Sequence, residues 1–382
     1  MNVVEQVQRD NIDLLTPLTA AVAGAAISYT QVGAKFNHSN YARQTCVDIE
    51  QQINQQWETR CAKNSRLYNA QKFRFAGWEI TGGKWILNIG LTCYKDLSGT
   101  NLAPNFRLIQ EKGAKDFGDL QAYMSDTLGV GVLLMTKDGH LVVTRRAGWT
   151  GEYPGALDRP GGHPEPGRVF TSGGSLKPED DNWEVDDAVL DEVWSSAAQE
   201  VEDELGVARS QMSDLTLMGM DLNREAGGRP SLEFFTKLEL SSSEMTEVYS
   251  RGCQAEVDET IAIHLLPPPT LIHLHHLLHP PPSPEVQVSP ESASRSEGVR
   301  GEKSEVREEE ITMIVSESLV RDEESEIRQG VTEMQVGENE RKHLQEARWV
   351  VREATPALRG ALLLGFHHCL LPKSPRAKCV CM

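Results

Sequence analysis

The sequence predicts an α/β sandwich. Two alternating strand pairs, one long amphipathic helix and three later strand-like runs carry that prediction. In Lys72–Tyr94, Phe73, Phe75, Trp78 and Ile80 lead into the turn Thr81–Gly83, and Trp85, Leu87 and Ile89 follow. The alternation slips once around Gly77, as a β-bulge allows. The stretch "SGTNLAPNF" then opens a helix running through Gln110 and Glu111. A second hairpin is predicted where "GVGVLLMT" and "HLVVTRR" flank the turn Lys137–Gly139. After the long helix, "DLTLMGMDL", "SLEFFTKLEL" and "ETIAIHLL" read as strands, and "TPALRGALLLGF" as a returning amphipathic helix.

The chain of 382 residues is long enough for two domains, or for one large domain with insertions. A formal net charge of −18 argues against a general nucleic-acid binder, which needs Lys and Arg to displace counterions. Seven scattered cysteines without a CxxC pair suit reduced thiols, hence a cytoplasmic or nuclear setting. The apolar N-terminal run follows acidic residues and is broken by Pro17, which excludes a signal peptide, and no apolar stretch is long enough to span a bilayer. From Pro267 to Glu346 the chain turns rich in Pro, His, Ser and Glu, a composition that predicts a disordered insert. Within it, His275, His276 and His279 have spacings that could bind metal, but a biased tract accounts for them. The terminus "KSPRAKCVCM" matches a prenylation pattern on Cys379, weakened by Cys381.

The expected units are therefore an N-terminal β-rich extension over 1–125, a core over 126–266, the insert over 267–346, a C-terminal helix over 347–366 and a tail over 367–382. The helix over Asp187–Gly206 has Asp186 or Asp187 available as N-cap and Gly206 as C-terminal glycine. Val189, Leu190, Val193, Trp194, Ala197, Val201 and Leu205 form its apolar stripe; Asp191, Ser195, Gln199 and Glu202 fall opposite. Glu200 and Glu204 lie at the border of the stripe with Asp203 beside them. Like charges four apart repel, and a Mg²⁺ ion, which takes oxygen ligands, would reverse the sign of that interaction. A solvated Glu-rich face is the ordinary explanation of such a pair.

The preceding "LDRPGGHPEPG" supplies the context that favours the metal. Gly-Gly, a variable loop and a helix ending Gln199-Glu200-Val201-Glu202-Asp203-Glu204-Leu205-Gly206-Val207 together resemble the signature of the Nudix hydrolases. Gln199 stands where that signature has Arg, Asp203 where it has Glu, and the spacer is expanded by "RVFTSGGSLKPEDDNW", leaving Asp191 and Glu192 both candidates for its first glutamate. "YNAQKFRF", "GLTCYKDLSGTN", "DFGDLQAYMSDTLGVGVLLMTKDGHLVVTRR" and "SLEFF" resemble the UDP-sugar diphosphatase branch of that superfamily.

The resemblance implies an α-β-α sandwich of the Nudix type and a Mg²⁺-dependent hydrolase splitting UDP-glucose or UDP-galactose into UMP and the sugar 1-phosphate. It implies Glu200 and Glu204 as catalytic metal ligands with Asp203 as a possible third. It also implies Tyr68, Tyr94, Arg146, Asp158, His163 and Glu165 as substrate-binding residues, in a pocket between the extension and the core. The tyrosines suit a uridine, Arg146 a diphosphate oxygen, and the other three ribose or sugar hydroxyls. The prolines beside His163 and Glu165 stiffen that loop. Hydrolysis of another nucleoside diphosphate derivative such as ADP-ribose, and UDP-sugar binding without turnover, remain alternatives. The general base and the oligomeric state are left open.

Overall fold

The computed structural model describes residues 3–9, 12–18, 26–65, 67–171, 174–279 and 338–370. Twelve strands and nine α-helices form its frame among those residues. The strands are β1 (Val3–Arg9), β2 (Ile12–Leu18), β3 (Val32–Phe36), β4 (Gln71–Thr81), β5 (Lys84–Cys93), β6 (Gly129–Met135), β7 (Leu141–Arg146), β8 (Leu157–Asp158), β9 (Gly161–Gly162), β10 (Thr216–Asn223), β11 (Arg229–Lys237) and β12 (Thr260–Leu266). The helices are α1 (Val47–Lys63), α2 (Tyr94–Gly99), α3 (Phe106–Phe117), α4 (Pro166–Val169), α5 (Trp183–Leu205), α6 (Ser242–Ser250), α7 (Pro268–Leu278), α8 (Glu338–Glu353) and α9 (Pro356–His368).

The main sheet runs β1-β2-β10-β11-β6-β7-β12, with β9 paired to β6 and β8 to β7. Its β11–β6 pair is parallel and sits inside the sheet. This explains why "GVGVLLM" reads as a continuous apolar run: β6 is covered on both faces. Val130, Val132 and Leu134 face one core with Val189, Val193, Ala197 and Val201 of α5. Leu133, between them in sequence, faces a second core under α7, α8 and α9. A smaller sheet, β3-β5-β4, closes over α5 on the first side, where Phe36, Phe73, Trp85 and Leu87 are buried. The predicted sandwich is therefore present, with helices on both sides of the main sheet.

The bulge predicted at Gly77 is observed: the β4–β5 register shifts between Phe75 and Gly77, and Gly77 takes φ 131°. Three expectations need correction. Helix α5 starts at Trp183, not Asp187, because Asn182 caps it by accepting the Glu184 and Val185 N–H groups. Asp186 instead accepts the Phe36 N–H at 2.6 Å and ties the helix to β3. The first strands are not confined to an extension, since β2 pairs antiparallel with β10 and so widens the main sheet.

The third correction concerns the expected insert. Its two ends are helical: α7 buries Leu271 and Leu274, and Thr270 Oγ1 on α7 donates to Glu346 Oε2 on α8 at 2.5 Å. Helix α8 continues past 346 to bury Ala347 and Val350, so the single helix expected over 347–366 is two, the end of α8 and α9. Composition hid this, because the apolar positions of α7 are interleaved with histidines and prolines. His275 and His279 stack at 4.6 Å, and His275 meets the Phe366 ring edge-on. The rest of the predicted insert, 280–337, lies outside the described residues, as does the Cys379 motif. Among the described residues no helix is long and apolar enough to cross a membrane.

Candidate active site

A cavity of about 320 Å³ opens between the C-terminal half of α5, the loop after β8 and the β10–β11 edge. Arg146, Asp158, His163, Glu165 and Glu200 all line it. These five come from three separated stretches of chain. β7 carries Arg146, and β8 and β9 set Asp158 and the loop of His163 and Glu165 beside it; α5 brings Glu200 to the opposite wall.

Glu200 owes its place to a glycine. A Cβ added to Gly162 would lie 2.2 Å from Glu200 Oε1, so only glycine lets β9 approach this carboxylate. Burial pushes the Glu200 carboxyl up to about 8, reinforced by the carboxylates of Glu204, Glu256, Asp203 and Glu259. Glu256 and Glu259 line the same cavity from the loop before β12, and the Glu256 N–H donates to the Asp203 carbonyl at the end of α5. The sequence carried no signal for these two acids, which belong to no recognisable spacing.

Glu204 does not line the cavity. Its Oε1 accepts the Gly161 N–H at 2.8 Å and its Oε2 accepts Thr260 Oγ1 at 2.8 Å, so it stands behind β9 and fixes it. Its carboxyl is raised to about 7 by burial, against the opposing pull of those two hydrogen bonds. Asp203 accepts from Gln199 Nε2 at 2.9 Å, away from the cavity lining. Of the two candidates for the first signature glutamate, Asp191 accepts the Tyr29 hydroxyl at 2.5 Å. Glu192 is buried and accepts the Glu165 N–H at 3.0 Å, which holds the His163–Glu165 loop.

Asp158 is an organiser. Its Oδ2 receives Arg146 Nη1 at 3.2 Å, and its Oδ1 receives Thr355 Oγ1 at 2.9 Å and the Arg159 N–H at 3.0 Å. Arg159, which sequence reasoning passed over inside the quoted motif, is buried in a two-point ion pair with Glu233 at 3.0 and 2.5 Å. Burial, then Arg229, Lys72 and Arg159, hold the His163 imidazole well below its ordinary range. Glu165 lies between Lys72 Nζ at 3.9 Å and Arg168 Nε at 3.8 Å.

Tyr68 and Tyr94 are not in this cavity. Tyr68 is 73% exposed. Tyr94 packs edge-on against Trp57 at 6.0 Å and receives Arg60 over its ring at 5.8 Å. Its hydroxyl lies 3.9 Å from where a Cβ of Gly151 would stand, beside the loop that carries Glu152 and Tyr153 into the cavity wall. The tyrosines therefore sit outside the cavity, and only Tyr94 approaches its rim.

The donor chemistry fits a hard divalent cation. The Glu200, Glu256 and Glu259 carboxylates offer oxygen alone, and their mutual repulsion is what a cation relieves. They are not drawn together: among the described residues no three His, Cys, Asp or Glu side chains already converge as a metal site.

No family model matches the chain. It is 39% identical over 201 residues to the uridine diphosphate glucose pyrophosphatase NUDT22 of Bos taurus, covering 51% of this chain and 68% of that protein. The human protein of that name is 37% identical over 201 residues, covering 65% of its length. Nudix hydrolase 9 of Arabidopsis thaliana is 31% identical over 242 residues, covering 61% of this chain and 77% of that protein. The chain thus spans about two thirds of the length of its animal relatives. A solved Nudix hydrolase from Alicyclobacillus acidocaldarius is 14% identical with a TM-score of 0.25, covering 39% of this chain and 82% of that one. The likeness to the bovine and Arabidopsis thaliana proteins makes the chain a hydrolase. More narrowly, it belongs to the Nudix hydrolases.

Proposed function

We propose that the protein hydrolyses nucleoside diphosphate sugars, with UDP-glucose and UDP-galactose as substrates, giving UMP and the sugar 1-phosphate. Water adds across the phosphoanhydride: its oxygen joins one phosphorus, the bridging P–O bond breaks, and the bridging oxygen leaves with the other phosphate. The observation that carries this reading is a cavity lined both by Arg146 and Arg159 and by the carboxylates of Glu200, Glu256 and Glu259. The names of the animal relatives favour UDP-glucose within that chemistry.

Glu200, with Glu256 and Glu259, would hold Mg²⁺. When bound, that ion supplies charge compensation for the phosphate oxygens and acidifies water. Glu204 keeps β9 in place, so Gly162 continues to admit Glu200 to the wall. Asp158 aims Arg146, whose guanidinium offers charged hydrogen bonds to a phosphate oxygen. His163 donates or accepts towards a hydroxyl. Tyr94, at the rim beside Gly151, offers a face to the uracil ring.

The test is product analysis with the full chain and Mg²⁺ on UDP-glucose, UDP-galactose, ADP-glucose and ADP-ribose. Release of UMP from the two UDP-sugars, with kcat/KM values differing by less than about tenfold, supports the reading. Faster cleavage of ADP-ribose would replace it with the broader diphosphate activity. Saturable UDP-glucose binding without any product would make the chain a binding protein.

A further inference from the structure

At the β10–β11 wall of the cavity, Asp221 and Ser231 are cross-strand partners and Asn223 pairs with Arg229. Most of this wall is hydrogen-bonded internally. Arg159 Nη2 donates to Ser231 Oγ at 3.0 Å, Ser231 Oγ donates to Glu233 Oε1 at 2.6 Å, and Asn223 Nδ2 donates to the Tyr153 hydroxyl at 3.1 Å. Asp221 is the exception. It is 1% exposed, and no N–H or O–H of the described residues donates to either of its oxygens. A buried acceptor left without a donor costs about 1–3 kcal/mol, so its persistence needs a reason.

Gly360 of α9 supports the side chain from behind; a Cβ there would stand 2.7 Å from the Asp221 Cβ. Burial, and then the Glu233 carboxylate beside it, hold the Asp221 carboxyl well above the ordinary carboxylate range. Arg159 is already matched to Glu233, so Asp221 is the acid of the two without a paired guanidinium, and its oxygens are left as acceptors in the cavity wall. Such a group suits an uncharged ligand carrying O–H donors and not a phosphate, which brings only acceptors.

We propose that the wall of Asp221, Asn223 and Ser231 is the pocket for the sugar half of the substrate, in which Asp221 accepts a hydrogen bond from a sugar hydroxyl. This rests on the nucleotide-sugar reading above. Three observations favour the sugar over the base at this wall. The wall is built of Asp221, Asn223 and Ser231, which carry hydrogen-bonding groups and no aromatic ring. The cavity, at about 320 Å³, is at the small end for an extended ligand and holds part of one. Tyr94, the ring suited to a base, lies outside it at the rim.

The experiment compares Asp221→Asn and Asp221→Leu with the unaltered chain, measuring kcat/KM for UDP-glucose, the competitive inhibition constant of UDP, and Tm. An amide keeps a C=O acceptor for the ligand and can set its NH₂ towards Glu233. Asp221→Asn should therefore keep UDP-glucose within about threefold, and Asp221→Leu should lose about tenfold or more. UDP, which has no sugar, should be affected less than about twofold by either change. Equal losses for UDP and UDP-glucose, or an Asn variant as poor as the Leu variant, overturn the assignment while leaving the activity standing. So does full UDP-glucose turnover by the Leu variant. If the unaltered chain fails to cleave UDP-glucose, the nucleotide-sugar reading falls and takes this inference with it.

Discussion

Replacing Gly162 by Ala should separate the catalytic geometry from the stability of the fold. The new methyl would stand 2.2 Å from Glu200 Oε1 and 2.6 Å from Cδ, whereas ordinary contact begins near 3.4 Å. The carboxylate must therefore retreat by about 1.2 Å or change rotamer, and it is the free end of a flexible side chain. Gly162 has no positive φ, so its backbone accepts alanine without strain. A displacement of about 1 Å at a reacting group can cost roughly a hundredfold. The expected result is a kcat/KM for UMP release lower by about two orders of magnitude, with Tm shifted by no more than about 4 °C. Gly161→Ala is the contrast. Its Cβ would meet the Val130 carbonyl oxygen at 2.5 Å and the Gly131 Cα at 3.0 Å, backbone atoms that cannot turn aside, so it should lower Tm strongly. A Gly162→Ala protein with unaltered turnover would refute the placement of Glu200 at the reacting centre.

Other expectations follow from the same geometry. Glu200→Gln removes a buried like-charge conflict, so Tm should hold or rise while turnover falls by orders of magnitude. Glu204→Leu should instead lose about 1–3 kcal/mol in denaturant titration, because it leaves the Gly161 N–H and the buried Thr260 hydroxyl without their acceptor. Asp126 is buried beside Arg74 and Asn101, and burial lifts its carboxyl from 3.8 to about 7. The folded chain thus binds this proton more tightly than the unfolded chain. Its contribution is full below about pH 4 and is lost as pH rises towards 7; Asp126→Asn should flatten that part of the stability profile. Leu274→Ala, at a fully buried position of α7, should cost about 2–5 kcal/mol in the same titration; a loss below about 0.5 kcal/mol would show that α7 is not part of the core.

What the sequence by itself determined about this protein is whatever depends on neighbours a few residues apart. The β4–β5 hairpin and its bulge at Gly77 were legible because strand alternation and the slip that breaks it are local. So was the C-terminus of α5 at Gly206, which takes φ 71° as a left-handed cap. The resemblance linked the Gly161–Gly162 stretch to the end of α5 as parts of one motif, and the fold sets β9 beside Glu200. Tertiary structure decided the rest. Glu200 and Glu204 are equivalent by helical spacing, yet one faces the cavity and the other is consumed by Gly161 and Thr260. Their difference is set by β9 and β12, which pattern reasoning on α5 does not contain. Glu256, Glu259 and Asp221 join the site from loop and sheet positions remote in sequence, and nothing within a few residues of each distinguishes it from an ordinary surface acid. The helices α7 and α8 were hidden for the opposite reason: their composition is that of a solvated segment. Each is held by burying one narrow face against the other and against the main sheet, a gain that exists only once both ends of the intervening chain have been brought back together.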